Sequence, residues 1–156
     1  MLPNSSKKHW KSTKPNKMIR AVLDTNILIS GILTPQGNPG KLIKKWKNNQ
    51  FILITSEPII KELVRVTNYP KITKAKPNIG QQTEQLIDLI FKYAIVTLGK
   101  LDINLVPDDP TDNKFVAAAI EGAGNYLISG DKHLKKLSQF HHTKVITPKD
   151  FISLLI

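Results

Sequence analysis

The stretch AVLDTNILISGIL, residues 21–33, indicates a strand followed by a helix. Its first three residues are apolar and predict a short buried strand that ends at Asp24. Apolar residues then return at helical spacing, so we expect a helix near 26–33. Asp24 therefore lies where a buried strand meets a helix. Its carboxylate either caps that helix or is one of several carboxylates that bind a metal ion.

The alternation of short strands with helices continues along the chain. We predict strands over residues 19–23, 51–55, 94–98, 125–129 and 143–147. We predict helices that begin at Pro39, after Ser56, after Asp131 and at Pro148, and others near 79–93 and 112–122. Residues 69–78 are predicted to be a connection. Short strands that alternate with helices favour parallel pairing. The fold class is therefore α/β, a single three-layer α/β/α sandwich with a mostly parallel central sheet.

Composition indicates a single globular domain without cysteine chemistry or a membrane span. The chain has 156 residues, 40% of them hydrophobic, which is enough for one domain with a buried core. It has no cysteine, which excludes disulfides, thiolate metal sites and cysteine nucleophiles. No apolar run approaches the roughly 20 residues that a membrane span needs. We expect a cytoplasmic protein with no membrane partner.

The charge of the chain is strongly positive. There are 23 lysines and arginines against 12 aspartates and glutamates, a net charge of +11. Residues 1–17 contain five of the lysines and no acid, so we expect a basic, disordered N-terminal arm and a domain that spans 18–156. Clustered positive charge favours a polyanionic partner such as RNA. For the arm itself, an effect on solubility is the simpler explanation.

Acidic residues follow the predicted strands at the edge where a site would form. Asp24 follows the first strand and Asp131 follows the fourth, and ligands of open α/β sheets bind outside the carboxyl ends of the strands. Asp112 stands at the mouth of the helix after the third strand, and Glu62 lies in the helix after the second. Each has a structural alternative, because the aspartates could cap helices and Glu62 could pair with Arg65.

Taken together, the four carboxylates indicate a metal centre. Carboxylates held a few ångströms apart raise each other's pKa unless a cation neutralises them. Oxygen ligands without cysteine or a well-placed histidine favour Mg²⁺ or Mn²⁺ over zinc. An acidic metal centre in a basic protein is the combination expected for phosphodiester hydrolysis, in which the metal activates a water and stabilises charge on the phosphate.

Four segments carry a resemblance to a known family. They are VLDTNILIS (22–30), ITSEPIIKEL (54–63), DDPTDNKFVAAAIEGAGNYLISGDKHL (108–134) and VITPKDFISLL (145–155). In this order and on these elements, they resemble the PIN-domain family, most closely its toxin-like (VapC-type) ribonuclease branch of toxin–antitoxin systems. The resemblance runs from residue 18 to the end of the chain. It implies a metal-dependent ribonuclease with an acidic pocket at the strand ends.

The resemblance also implies roles for individual residues. The positions that match the family's catalytic and metal-binding acids are Asp24, Glu62, Asp112 and Asp131. Asn26 and Ser129 match polar residues that support the pocket. Asp109 has two explanations, a place beside the pocket or a role in shaping the DDPTD turn, and we favour the turn. By resemblance, the partners are RNA, an antitoxin protein that blocks the pocket, and a second copy of the chain in a homodimer.

The expected phosphate contacts are lysines outside the pocket. They are Lys41, Lys44 and Lys45 in one helix, and Lys71 and Lys74 in the connection over 69–78. Lysine contacts to phosphate give affinity with little sequence discrimination. A solvated helix face explains the first group equally well.

Two other functions stay open. The chain could be a catalytically silent RNA-binding or partner-docking module that keeps the pocket for structure alone, although all four matched acids are present. It could also be a phosphotransfer domain. The haloacid-dehalogenase kind needs a second aspartate two residues after the first, and position 26 is asparagine. The receiver kind needs an acceptor aspartate after a middle strand and a later lysine, neither of which is convincingly placed. We therefore favour the ribonuclease.

Overall fold

One sheet organises the molecule. A computed structural model describes residues 18–155, and the basic arm predicted over 1–17 lies outside the described residues. The strands are β1 (Arg20–Leu23), β2 (Ile52–Ser56), β3 (Ile95–Thr97), β4 (Tyr126–Ile128), β5 (Gln139–Phe140) and β6 (Thr143–Ile146). Their order in the sheet is β3-β2-β1-β4-β6-β5, and all neighbours are parallel except β5 and β6. β1 therefore lies inside the sheet, between β2 and β4.

Helices cover both faces of this sheet. Within the described residues they are α1 (Thr25–Leu33), α2 (Asn38–Lys47), α3 (Glu57–Thr67), α4 (Pro70–Ala75), α5 (Ile79–Tyr93), α6 (Asn113–Glu121), α7 (Lys132–Leu137) and α8 (Pro148–Leu154). α1 packs against α2 and α3, and α6 packs against β1, β2 and β4. In residues 18–155, none of the helices has the length and apolar character needed to cross a membrane. The three-layer α/β/α sandwich confirms the predicted fold class.

Side-chain oxygens start the helices that follow β1 and β2. Asp24 caps α1 by accepting the Ile27 N–H, and Ser56 caps α3 by accepting the Ile59 N–H. Pro58 lies in the first turn of α3, where a missing N–H costs nothing. The first N–H groups of a helix have no partner within it, so these oxygens fix where each helix begins.

The core lies on both faces of β1. Residues 21–23 are buried, as expected of a central parallel strand, and they form an uninterrupted apolar run. On α6, residues 117–119 are three buried alanines. A Cβ added to Gly122 would lie 2.7 Å from Cγ2 of Ile54. These small residues let α6 pack closely on the sheet, and α6 begins at the edge where β1 and β4 end.

Three local elements differ from the prediction. Residues 69–78, predicted to be a connection, contain the short helix α4, which starts at Pro70. The sequence does not predict β5, because a strand of two residues is too short to show alternation. The helix predicted near 112–122 begins as a 3-10 turn, Pro110–Asp112, and becomes α-helical at Asn113. None of these differences changes the layers of the sandwich.

Candidate metal centre

Asp24 and Asp131 come together because they follow neighbouring parallel strands. β1 and β4 pair with Leu23 opposite Ile128, so the segments that follow them leave the sheet next to each other. Ser129 lies between the two acids. Its hydroxyl donates to Oδ2 of Asp24 and accepts the backbone N–H of Asp131, with 2.9 Å between the nitrogen and Oγ. One serine therefore ties both acid-bearing segments together.

Asp24 is buried, and both of its carboxylate oxygens accept hydrogen bonds. Oδ1 accepts the Ile27 N–H at 2.9 Å, and Oδ2 accepts the Ser129 hydroxyl. Burial raises the pKa of Asp24 to about 6; the negative charges of Asp131 and Glu62 add to the rise, and the two hydrogen bonds oppose it. Capping thus explains the position of Asp24, but the surroundings disfavour its charge unless a cation is present.

Asp131 also caps a helix and belongs to a group of carboxylates. Its Oδ1 accepts the N–H groups of His133 and Leu134, at 2.8 and 3.3 Å. One oxygen each from Asp109, Asp112 and Asp131 lies within 4.8 Å of the others. Hard cations such as Mg²⁺ bind oxygen ligands at roughly 2 Å, so oxygens at this spacing can surround a single ion.

Helix capping explains the positions of Asp24 and Asp131, but it does not explain the position of Asp112. Asp112 precedes α6, yet its side chain makes no capping hydrogen bond. Its Oδ2 is buried and has no hydrogen-bond partner among the described residues. Burial and the negative charges of Asp109, Asp131 and Asp24 together raise the pKa of Asp112 to about 6, and the positive charge of Lys114 opposes the rise. A buried carboxylate oxygen without a donor is what a cation would satisfy, so the donor set fits a divalent metal.

Asp109 shapes its turn and also faces the other carboxylates. Thr111 Oγ1 donates to Asp109 Oδ1 at 2.6 Å, which agrees with the predicted role in the turn. The group that Asp109 forms with Asp112 and Asp131 gives weight to the other explanation, a place beside the pocket. The sequence favours a role in the turn. A place beside the pocket depends on the 3-10 turn at Pro110–Asp112, which the sequence does not predict.

Glu62 lies at the margin of the centre, on α3. Thr25 Oγ1 donates to its Oε1 at 2.5 Å, and Lys114 Nζ lies 3.2 Å from its Oε2. The expected pair with Arg65 also forms, with 3.6 Å between the charged atoms. The charge of Glu62 helps to raise the pKa of Asp24. Within residues 18–155, Glu62 is nevertheless outside the group of three carboxylates that share one space.

Most of the remaining predicted residues are more exposed than the acids of the centre. Of the two predicted pocket supports, Ser129 is buried and Asn26 is exposed in the first turn of α1. The five lysines predicted to contact phosphate lie on α2 and α4, where Lys45 is half-buried and the other four are exposed. Among the described residues, none of the five takes part in an ion pair, so no acid of this part of the chain neutralises them.

Removal of the Ser129 hydroxyl is expected to loosen the centre. Ser129→Ala leaves Oδ2 of Asp24 and the N–H of Asp131 without their shared partner. We expect the affinity for Mn²⁺ to fall by about 10- to 100-fold, measured by isothermal titration calorimetry. Ser129→Thr keeps the hydroxyl and should bind as the wild type does. An unchanged affinity in folded Ser129→Ala would contradict this bridging role.

Comparison with known proteins places the centre within a recognised domain. A family model described as PIN domain matches residues 20–133, a range that contains all of the acids described above. An uncharacterized protein of Methanocaldococcus jannaschii is 30% identical to this chain over 142 residues. That match covers 86% of this chain and 90% of the archaeal protein.

Proposed function

The chain belongs to the PIN-domain family. We propose that it is a ribonuclease that needs Mg²⁺ or Mn²⁺ and hydrolyses RNA phosphodiester bonds. Its fold is nuclease-like. The proposal includes a biological role, the toxin of a toxin–antitoxin pair that an antitoxin protein holds inactive by blocking the centre. It also includes a homodimer and a cytoplasmic location. These finer points rest on the resemblance of the sequence to the toxin-like branch.

One observation carries the proposal, and it concerns Asp112. A carboxylate oxygen that is buried without a hydrogen-bond donor is costly, and it persists in proteins where something else satisfies it. The nearest candidates for the same ligand set are Asp109 and Asp131. A hard divalent cation satisfies all three groups at once and also neutralises part of their negative charge, which a neutral hydrogen-bond donor does not do.

Each acid has a defined task within the proposal. Asp24, Asp112 and Asp131 would hold the divalent cation, with Asp109 beside Asp112 and Asp131, and with Glu62 at the margin. The proposed catalytic residues are Asp24, Glu62, Asp112 and Asp131. When bound, the cation supplies a Lewis acid that stabilises charge on the phosphate and activates a water. The pKa values of Asp24 and Asp112 are about 6, so both carboxylates are ionised and able to bind metal above that pH. Ser129 holds the Asp24 carboxylate in its orientation.

The distribution of charge supports a nucleic-acid substrate. The net charge of +11 attracts a polyanion, and the exposed lysines of α2 and α4 are available to phosphates. Contacts of this kind hold a nucleic acid without reading its sequence. The choice of RNA over DNA comes from the family resemblance.

Cleavage of total cellular RNA tests the proposal. The wild type is incubated with Mg²⁺, with Mn²⁺ and with EDTA, and new RNA ends are mapped by sequencing. We expect discrete new ends with either metal and none with EDTA. Asp112→Asn should lower cleavage by about 100-fold, because an amide cannot balance the charge of the cation. Asp88→Asn is the matched control, since it makes the same change at an exposed aspartate of α5.

Two results would contradict the proposal. The first is equal cleavage by wild type and Asp112→Asn, or cleavage that persists in EDTA, because either would place the activity outside this centre. The second is the absence of metal-dependent ends from folded protein that is free of any copurified partner. That result would exclude a broad ribonuclease and favour the silent RNA-binding or partner-docking module.

A further inference from the structure

Lys114 lies in the wall of the centre, two residues after Asp112. It belongs to the first turn of α6 and is half-buried. Its ammonium lies 3.2 Å from Oε2 of Glu62 and donates to the Thr111 carbonyl oxygen at 2.5 Å. The same nitrogen is 5.0 Å from the centre of the Phe115 ring. Three contacts from different directions therefore fix this positive charge beside the acids.

The Lys114–Glu62 pair is unlike the other ion pairs of the described residues. Its two side chains are 17% and 18% exposed. In the other two pairs, the cationic side chains of Arg65 and Lys136 are 60% and 78% exposed. Exposed pairs of that kind contribute little, because solvent screens them. The Lys114–Glu62 pair is instead shielded, so solvent screens its charges less.

The acids of the centre divide into two sets. Asp109, Asp112 and Asp131 can surround one cation with one oxygen each. The other two acids differ from each other: each oxygen of Asp24 accepts one hydrogen bond and keeps a lone pair for a cation, whereas Glu62 accepts the Thr25 hydroxyl and pairs with Lys114. Centres that use two metal ions hold them about 3.5–4 Å apart, so a second ion would need a carboxylate next to the first set. Glu62 is the acid beside Asp24, whose pKa its charge helps to raise, and the Lys114 ammonium already pairs with it.

We propose that Lys114 occupies the place of a second cation beside Glu62, so that the centre binds a single divalent ion. This inference rests on the proposed function, because it takes the carboxylates to be metal ligands. Lys114 is then a positioning residue that acts through Glu62. Its fixed charge lies beside Glu62, where a second ion would otherwise bind.

The number of Mn²⁺ ions bound per chain tests this role without any measurement of cleavage. Equilibrium dialysis against Mn²⁺, with the free ion measured by electron paramagnetic resonance, gives that number. We expect one ion for the wild type and two for Lys114→Met, because Glu62 then keeps only its pair with the exposed Arg65 and is available to a second ion. Lys114→Arg keeps the charge and should bind one ion. Lys136→Met, which removes an exposed lysine from a surface pair, should also bind one.

A double variant makes the test specific to Glu62. Lys114→Met combined with Glu62→Gln should return to one ion, since the acid that would bind the second ion is gone. Two ions in the wild type would overturn the role of Lys114 and leave the proposed function intact. One ion in folded Lys114→Met would also overturn it. No bound ion in the wild type would overturn the metal centre, and the proposed function with it.

Discussion

Replacing Asp24 with asparagine is expected to lower RNA cleavage by on the order of 1,000-fold and, in the same variant, to stabilise the metal-free protein. The loss of cleavage follows from removing a buried negative charge beside the proposed cation. A loss of about 4 kcal/mol in transition-state stabilisation gives a factor of this size. Asparagine keeps an oxygen that can accept the Ile27 N–H, so α1 remains capped.

The gain in stability follows from the direction of the pKa shift. Folding raises the pKa of Asp24 from its ordinary 3.8 to about 6. Between these values the folded protein binds the proton more strongly than the unfolded chain does, so the free energy of unfolding falls as the pH rises. Above pH 6 the full cost of the buried charge is present. Two pKa units correspond to about 3 kcal/mol, which is an upper figure for what Asp24→Asn recovers.

Urea unfolding of the metal-free proteins measures this gain. The excess stability of Asp24→Asn over the wild type should be larger at about pH 7.5 than at about pH 5, where part of the wild-type carboxylate is still protonated. Saturating Mn²⁺ should stabilise the wild type and leave Asp24→Asn almost unchanged. Asp88→Asn, the same change on an exposed face of α5, should match the wild type throughout. A variant less stable than the wild type at both pH values would contradict the cost assigned to this charge.

Phe151→Ala is expected to produce the largest loss of stability. α8 buries one residue, Phe151, and that residue is fully enclosed. Its ring lies edge-on to Phe51, with 5.1 Å between ring centres, and 5.6 Å from Tyr126. The alanine loses these contacts and leaves a cavity between α8 and the sheet. We expect a loss of about 3–5 kcal/mol in the free energy of unfolding.

Leu154→Ala on the same helix is the control for this prediction. Leu154 is 49% exposed, so its truncation should change stability by no more than about 0.5 kcal/mol. Urea unfolding monitored by circular dichroism compares the two variants with the wild type. If Phe151→Ala and Leu154→Ala gave similar losses, α8 would not be anchored through the Phe151 ring.

Hydrophobic periodicity predicts most of the sandwich because most of its elements are wholly buried or clearly amphipathic. The strand at residues 21–23 is buried on both faces, and the helix that Ser56 caps buries one stripe of side chains. Both elements were predictable from the spacing of apolar residues. α4 and β5 were not, because six and two residues are too few to display a period of either kind.

The candidate centre was predictable only where strand pairing determines it. Asp24 and Asp131 lie at one edge because they follow parallel neighbours, and that placement follows from the strand order alone. Asp109 and Lys114 were not predicted to lie in the centre. Asp109 lies in the long loop between β3 and α6, and Lys114 lies in the first turn of α6, directly after that loop. No local pattern in the sequence specifies the path of the loop.

Two side chains of α6 set the path of that loop. Asn113 Oδ1 accepts the N–H groups of Leu105 and Val106, each at 2.9 Å. Glu121 accepts the Gly99 N–H at 2.9 Å from the opposite end of α6. An asparagine and a glutamate in a helix look like ordinary surface residues in the sequence, so these contacts could be found only in the folded structure.

The hydrogen bond between Ser129 and Asp24 joins residues that are 105 positions apart. A chain emerging from the ribosome therefore presents β1, α1 and Asp24 long before β4 exists to pair with them. Long-range parallel pairing is slow to form, because a large loop must close first. The centre is thus assembled late, and a nascent or truncated chain that ends before β4 lacks both Ser129 and Asp131, although the earlier acids are present. For a chain that we propose to cut RNA, the order of folding itself delays activity until synthesis is nearly finished.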